Sequence, residues 1–290
     1  VNDRLGRRDT LLATLVVTFW GLNYVAVKLG VAELPPLLTT SLRFVLVAAL
    51  ILPFAPMKRE YVLPLLLLSF TMGSLHFGML FVGMVRVDAA TSAIALQTSV
   101  PFSVLIGALV FRERIGIRRG LGVVLGFLGI VVLAGEPGEI HLPSLVLIIL
   151  AALCWSASSA LFKVIPPIPS LTYIGGTAAF AAPQTLLASL LLEDHQVAAM
   201  QAASPTGWGG VLFTAIGASI IGHGLWYGLV KRHDLSLVVP FTLLGPVIGV
   251  ISAVAFLHEP MTVEKLVGAV LTMAGVAIIQ FQPRRKPQKG

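Results

Sequence analysis

Ten stretches of this chain, near residues 10–29, 37–56, 62–84, 89–110, 117–134, 143–163, 170–192, 206–230, 235–257 and 263–281, are dominated by Leu, Val, Ile and Ala. Each is close to the roughly 20 apolar residues that a helix needs to cross the hydrocarbon of a bilayer. Only 11% of the residues are charged, against about 25% in a soluble domain. Lipid offers no hydrogen bonds to the backbone, so an open strand edge there would leave amides and carbonyls unpaired, and the spans must be helices. The expected fold is an all-α integral membrane protein of ten transmembrane helices, with too little chain between them for an extramembrane domain. The first span is too long for a signal-peptide core and has no small-residue cleavage site after it, so it is expected to stay as an anchor.

The chain also repeats itself. Trp20 and Lys28 correspond to Trp155 and Lys163 at an offset of 135, and later in each half the offset becomes 146, pairing Asp88 with Asp234, Glu113 with Glu259, Gly122 with Gly268 and Gly129 with Gly275. One lengthened loop relates the two series. Five spans per copy is an odd number, so the second copy must enter the membrane from the opposite side, which makes the pair an inverted repeat of the kind that alternates access around a central site. The expected organisation is a first five-helix repeat over 1–134, a turn-rich connection over 135–142 beginning Gly135, Glu136, Pro137, Gly138 and Glu139, a second repeat over 143–281, and a basic tail over 282–290.

The net charge of +7 does not call for nucleic acid once the charges are placed. Sixteen of the twenty Lys and Arg residues fall on one side of the ten-span topology, Lys28, Arg86 and Lys265 on the other, and Arg43 within the second span. Cytoplasmic loops carry the excess of basic residues, so both termini are expected in the cytoplasm, the basic groups touching at most anionic lipid heads. Cys154, the lone cysteine, has no internal disulfide partner.

Glycines at Gly122, Gly126 and Gly129 share a face of span five, and Gly268 and Gly275 reproduce it in span ten. Small residues at such intervals let helix backbones approach closely. That face packs either inside the monomer or as a seam of a homodimer. Pro101, Pro183, Pro240 and Pro246 interrupt spans and should kink them. Pro101 and Pro246 are within one residue of equivalence, and serve either as static kinks or as hinges.

Polar groups within spans are costly, about 2.5–3.5 kcal/mol for a charge at the helix centre, and usually face a pathway or a partner. Trp20, Asn23 and Tyr24 share a face of span one at three-to-four spacing. His76 and Met79 in span three, Gln97 in span four, Trp155, Ser158 and Ser159 in span six, and His223, Trp226 and Tyr227 in span eight complete the candidate cavity lining. Against this, Trp and Tyr also populate interfacial belts, and the histidines serve either only to bond a neighbouring helix or to carry protons. Arg43 is the strongest pointer, because a guanidinium keeps its charge and offers paired donors to a carboxylate or phosphate. Lys28 and Lys163, at equivalent span ends, either snorkel to the headgroups or act in gating.

No Asp or Glu falls clearly within a span core, which disfavours hydrophobic cations and favours a zwitterion or an organic anion. No zinc-binding, phosphate-loop or serine-elbow motif is present, so neither an enzyme nor a cofactor is expected, and coupling is to an ion gradient or passive.

The run Phe19, Trp20, Gly21, Leu22, Asn23, Tyr24, Val25, Ala26, Val27 and Lys28 has a familiar pattern, as do Pro101 followed by Phe111, Arg112, Glu113 and Arg114, the glycine-spaced fifth span, and Gly245, Pro246, His258, Glu259 and Pro260. It resembles the drug/metabolite transporter superfamily in its ten-helix EamA-type branch, nearest to the YddG-type bacterial amino-acid exporters, over essentially the whole chain. The resemblance implies a basket-like bundle in the bacterial inner membrane, with helices one, three, four, six, eight and nine around a central cavity and five and ten at one side. It implies export of amino acids and related metabolites, and structural roles for Glu113 and Glu259 at the ends of spans four and nine. Span six departs from the pattern, lacking counterparts of Gly21 and Asn23. The alternative within the superfamily is an exchanger of organic anions or phosphometabolites, which requires Arg43, Lys28 and Lys163 to converge in one cavity.

Overall fold

The computed structural model describes residues 5–135 and 141–281. The expected connection around Glu136 and Glu139 and the basic tail with Arg284, Arg285, Lys286 and Lys289 lie outside the described residues. Ten helices are long and apolar enough to cross a membrane: α1 Arg7–Val31, α2 Pro36–Phe54, α3 Arg59–Arg86, α4 Ala89–Phe111, α5 Ile117–Ala134, α6 Leu142–Phe162, α7 Ser170–Leu192, α8 Pro205–Arg232, α9 Val239–Leu257 and α10 Val263–Gln280. No strand occurs among the described residues. A further short helix, Gln196–Ala202, lies between α7 and α8.

The packing partners form matching sets. α5 lies against α10, α2 against α7, α1 against α8 and α9, and α6 against α3 and α4. Exchanging the halves maps α5–α10 and α2–α7 onto themselves and turns the α1 contacts with α8 and α9 into those of α6 with α3 and α4, as expected for two repeats. The glycine face resolves in favour of packing within the monomer. A methyl placed on Gly122 would come within 2.8 Å of the Gly275 carbonyl oxygen, and one on Gly268 within 2.8 Å of that of Gly129.

Two pairs of local departures from α geometry recur in the halves. Ser69–Phe77 in α3 and Phe213–His223 in α8 are wound as π-helix, a geometry frequent at functional sites. α4 and α9 each contain a tight 3₁₀ stretch, Leu96–Thr98 and Val239–Leu243, shortly before Pro101 and Pro246. Each proline lacks the N–H that the carbonyl four residues back, of Gln97 or Thr242, would otherwise receive. Near the first of these kinks the Ser156 hydroxyl of α6 donates to the Ser99 carbonyl at 2.6 Å, tying α6 to α4 at that level.

The same turn ends α4 and α9. Arg112 (φ 55°) and His258 (φ 56°) are left-handed, a conformation that costs a residue with a Cβ roughly 1–2 kcal/mol. In return the chain reverses at once and delivers Glu113 and Glu259 back to the bundle, their amides bonded to the carbonyls of Gly107 and Ala253.

Candidate functional site

One end of the bundle is tied together by three carboxylates, each received by the start of a helix from another part of the chain. Glu259 accepts from the Ala89 and Ala90 amides at 2.7 and 2.9 Å, and Glu193 from Leu37 and Leu38 at 2.7 and 3.0 Å. Glu33 accepts from the Ser204 amide at 2.5 Å and its hydroxyl at 2.7 Å. The first orphaned amides of a helix and the positive end of its dipole make such partners favourable. For Glu33 the Ser204 bonds hold the carboxyl below its ordinary range.

The turn between α3 and α4 is gripped most firmly. Lys28 of α1 donates to the Met84, Val85 and Val87 carbonyls at 2.7, 3.3 and 3.0 Å, closing the end of α3 instead of reaching out to the headgroups. Lys265 of α10 pairs with Asp88 at 2.5 Å. At the opposite end of the bundle Lys163 is mostly exposed and meets Glu113 at 3.4 Å, and Asp9 binds Arg232 and His233 at 3.2 and 2.9 Å.

Because Glu259 is 9% exposed and bonds two otherwise unpaired amides, Glu259→Gln is expected to cost about 1.5–3 kcal/mol. It should visibly lower the thermal unfolding temperature of detergent-solubilised protein. Glu60→Gln, which breaks a pair with Lys58 whose side chains are 61% and 64% exposed, should change stability by less than about 0.5 kcal/mol.

Between the two ends lies a cavity of about 310 Å³, at the small end of the range for ligand sites. Trp20, Asn23 and Tyr24 of α1 line it as their spacing suggested, with Arg43 of α2, His76 of α3, Gln97 of α4, Trp155 of α6, and His223 and Trp226 of α8. The remaining candidates lie elsewhere. Met79 packs against the core and Ser158 is buried outside the lining. Ser159 is exposed and returns its hydroxyl to the Trp155 carbonyl. Tyr227 stands edge-on to Tyr173 of α7, ring centroids 5.6 Å apart. Pro246 lines the cavity, whereas Pro101 is buried against Gly126.

Sequence reasoning missed Thr242 and Gln280, which also line the cavity. Both are near helix ends, where a polar residue reads as interfacial.

The indoles form a wall. Trp20 lies 5.2 Å from the His223 ring and 5.3 Å from Trp226, with its Nε1 donating to the Ala218 carbonyl at 3.3 Å. Trp155 meets the His76 ring edge-on at 5.0 Å. Both histidines hold a backbone carbonyl through Nδ1, His76 that of Ala151 at 2.8 Å and His223 that of Ala218 at 2.9 Å. The latter bond, reaching five residues back, is available because α8 is π-wound there.

Arg43 is 2% exposed. Its Nε donates to the Ser219 hydroxyl at 2.9 Å, its guanidinium carbon sits 4.0 Å from the Phe77 ring centroid, and Nη1 has no partner. Among the described residues no Asp or Glu lines the cavity.

The three cations of the phosphometabolite reading do not converge. Lys28 binds at Val87, just before α4, and Lys163 at Glu113, just beyond its other end. The 23 residues of α4 separate them by roughly 34 Å at 1.5 Å per residue.

Known proteins agree with this architecture. The EamA-like transporter family model matches residues 9–135 and 142–281. The chain belongs to the EamA-like transporter family. It is therefore a multi-pass membrane transporter and not an enzyme. Two EamA-like relatives carry the name "Probable amino-acid metabolite efflux pump": one from Salmonella typhimurium, 34% identical, and one from Escherichia coli, 30% identical, each aligned over 96% of both chains. A solved crystal structure shares the fold with a TM-score of 0.64 at 20% identity, covering 93% of this chain and 96% of the other.

Proposed function

We propose that this EamA-like protein exports amino acids, neutral and aromatic ones foremost, together with related metabolites. In this reading it sits in the bacterial inner membrane with both termini cytoplasmic, and it alternates access between two inverted five-helix repeats. The observation that carries the proposal is the buried Arg43 guanidinium, whose Nη1 has no partner, in the wall of a small aromatic-lined cavity that no carboxylate among the described residues lines. A lone fixed cation attracts a carboxylate, and indole walls suit an apolar side chain. The names of the Salmonella and Escherichia relatives support the same substrate class.

The direction of transport has support from the two ends of the cavity. Toward the Glu259 end, beyond Leu80, the buried side chains of Val27, Val31, Phe81 and Met84 fill the space. Toward the Glu113 end the lining continues to Trp226, Thr242 and Gln280. With the Glu113 end in the cytoplasm, as the positive-inside rule favours, a cavity continuing toward that end suits the loading of an exporter.

The test is counterflow in liposomes containing the purified protein. Labelled phenylalanine should accumulate against unlabelled neutral amino acids and much less against sugar phosphates. Exchange driven only by phosphorylated or dicarboxylic compounds would overturn the reading.

A further inference from the structure

The buried polar atoms that lack a partner are not scattered. Among the described residues they are Asn23 Oδ1, Arg43 Nη1, His76 Nε2, Thr91 Oγ1 and Gln280 Oε1, and all but Thr91 belong to residues lining the central cavity. Folded proteins leave few such atoms unpaired, and a ligand or ordered water completes them.

The cavity atoms divide by chemistry. Arg43 can only donate. Asn23 Oδ1 and Gln280 Oε1 are carbonyl oxygens and accept. For His76 the other ring nitrogen decides. Nδ1 lies 2.8 Å from the Ala151 carbonyl, which can only accept, so Nδ1 carries a proton. In the neutral ring Nε2 is then a bare acceptor.

The donor and the histidine acceptor share Phe77 as a neighbour. The guanidinium carbon is 4.0 Å from the Phe77 ring centroid, and the His76 ring centroid is 4.6 Å from it. The guanidinium carbon and the imidazole centre are therefore no more than about 8.6 Å apart, a span that the carboxylate and ammonium of one α-amino acid bridge with a hydrogen bond of about 2.9 Å at each end. Trp155, 5.0 Å from the His76 ring, supplies an apolar wall of the cavity beside that acceptor.

The geometry points to a two-pole site: Arg43 takes the substrate carboxylate, while His76 Nε2 and Asn23 Oδ1 take its α-ammonium. The cavity thereby selects zwitterions over both deaminated acids and decarboxylated amines. The inference rests on the amino-acid reading above and adds the group that recognises the amine. Neutral acceptors suffice for a zwitterion, whereas a free amine brings an uncompensated positive charge beside Arg43.

The experiment is competition against labelled phenylalanine counterflow by phenylalanine, 3-phenylpropionate and phenethylamine. The wild type should prefer phenylalanine by about tenfold or more over either analogue, the scale of one charge-assisted hydrogen bond. His76→Asn places an amide donor where Nδ1 was, keeping the Ala151 bond and removing the acceptor. Phenylalanine should then compete about tenfold less well with 3-phenylpropionate unchanged, while His76→Gln, with an amide near the Nε2 position, recovers part of the loss. If His76→Asn does not fold, Asn23→Leu must show the same selective loss.

Weakening of phenylalanine and 3-phenylpropionate alike, or of neither, overturns the ammonium assignment and leaves the transport reading standing. Absence of phenylalanine counterflow by the wild type overturns that reading, and this inference with it.

Discussion

Arg43→Gln is expected to weaken phenylalanine counterflow by at least tenfold and toward a hundredfold while leaving the protein as thermally stable as before, or more so. A buried ion without a counter-ion costs free energy, and replacing it with a neutral group of similar length is often neutral or stabilising. Arg43 has the Ser219 hydroxyl and the faces of Phe77, Phe44 and Phe81, at 4.0, 5.8 and 5.9 Å, as its surroundings. Those contacts soften the cost of the charge without cancelling it. A charge-assisted bond to a substrate carboxylate contributes about 1.5–3 kcal/mol, hence the fold range at 1.4 kcal/mol per decade. Arg43→Lys should fall between, because an ammonium keeps the charge but loses the planar fork that serves Ser219 and the cavity together. Thermal unfolding in detergent beside half-saturating substrate concentrations checks both halves. If stability and transport fall together, Arg43 is a structural residue and the assignment is wrong.

The bundle was largely legible in the sequence because the bilayer leaves so few choices. Length and apolarity alone placed ten helices, with ends a few residues off even in the regular α1, read as 10–29 and found at Arg7–Val31. Spans read as 62–84 and 206–230 extend to Arg59–Arg86 and Pro205–Arg232, and each contains a π-wound stretch. Hydropathy carries no sign of that winding. The span read from residue 235 is helical from there, through the short helix Leu235–Val238 and the 3₁₀ stretch Val239–Leu243, before the regular helix Leu244–Leu257.

The cavity was half legible. In α1, where the helix is regular, the spacing of Trp20, Asn23 and Tyr24 identified the lining face. In α6 the hydroxyl of Ser159 satisfies itself on its own helix, so polarity there pointed nowhere. Lys28 shows a different limit. A lysine at a span end has the same sequence context whether it snorkels or closes the end of another helix, and only the approach of α3 decides between them.

Gly275→Leu is expected to prevent stable folding, with a loss of more than about 3 kcal/mol, the upper range for overpacking. The atoms that a Cβ at Gly275 would meet are the Gly122 carbonyl oxygen at 2.6 Å, the Gly126 amide nitrogen at 2.6 Å and the Gly126 Cα at 3.0 Å. All are backbone, so no rotamer change relieves the clash, and α5 and α10 must separate. Separation also removes the contact between Gly129 and Gly268, where a methyl on Gly129 would lie 2.6 Å from the Gly268 oxygen. At the repeat offset of 146, Gly122 corresponds to Gly268 and Gly129 to Gly275, so each contact is the image of the other when the halves are exchanged. Residue numbers rise along α5 as they fall along α10, which makes the pair antiparallel. One substitution therefore disturbs both ends of the seam that joins the repeats. Gly228→Ala in α8, with nothing within 4 Å of the new carbon, should be tolerated. Size-exclusion profiles and thermal unfolding of the two variants make the comparison. A Gly275→Leu protein that stays folded and changes only its oligomeric state would mean that the glycine face serves contact between molecules.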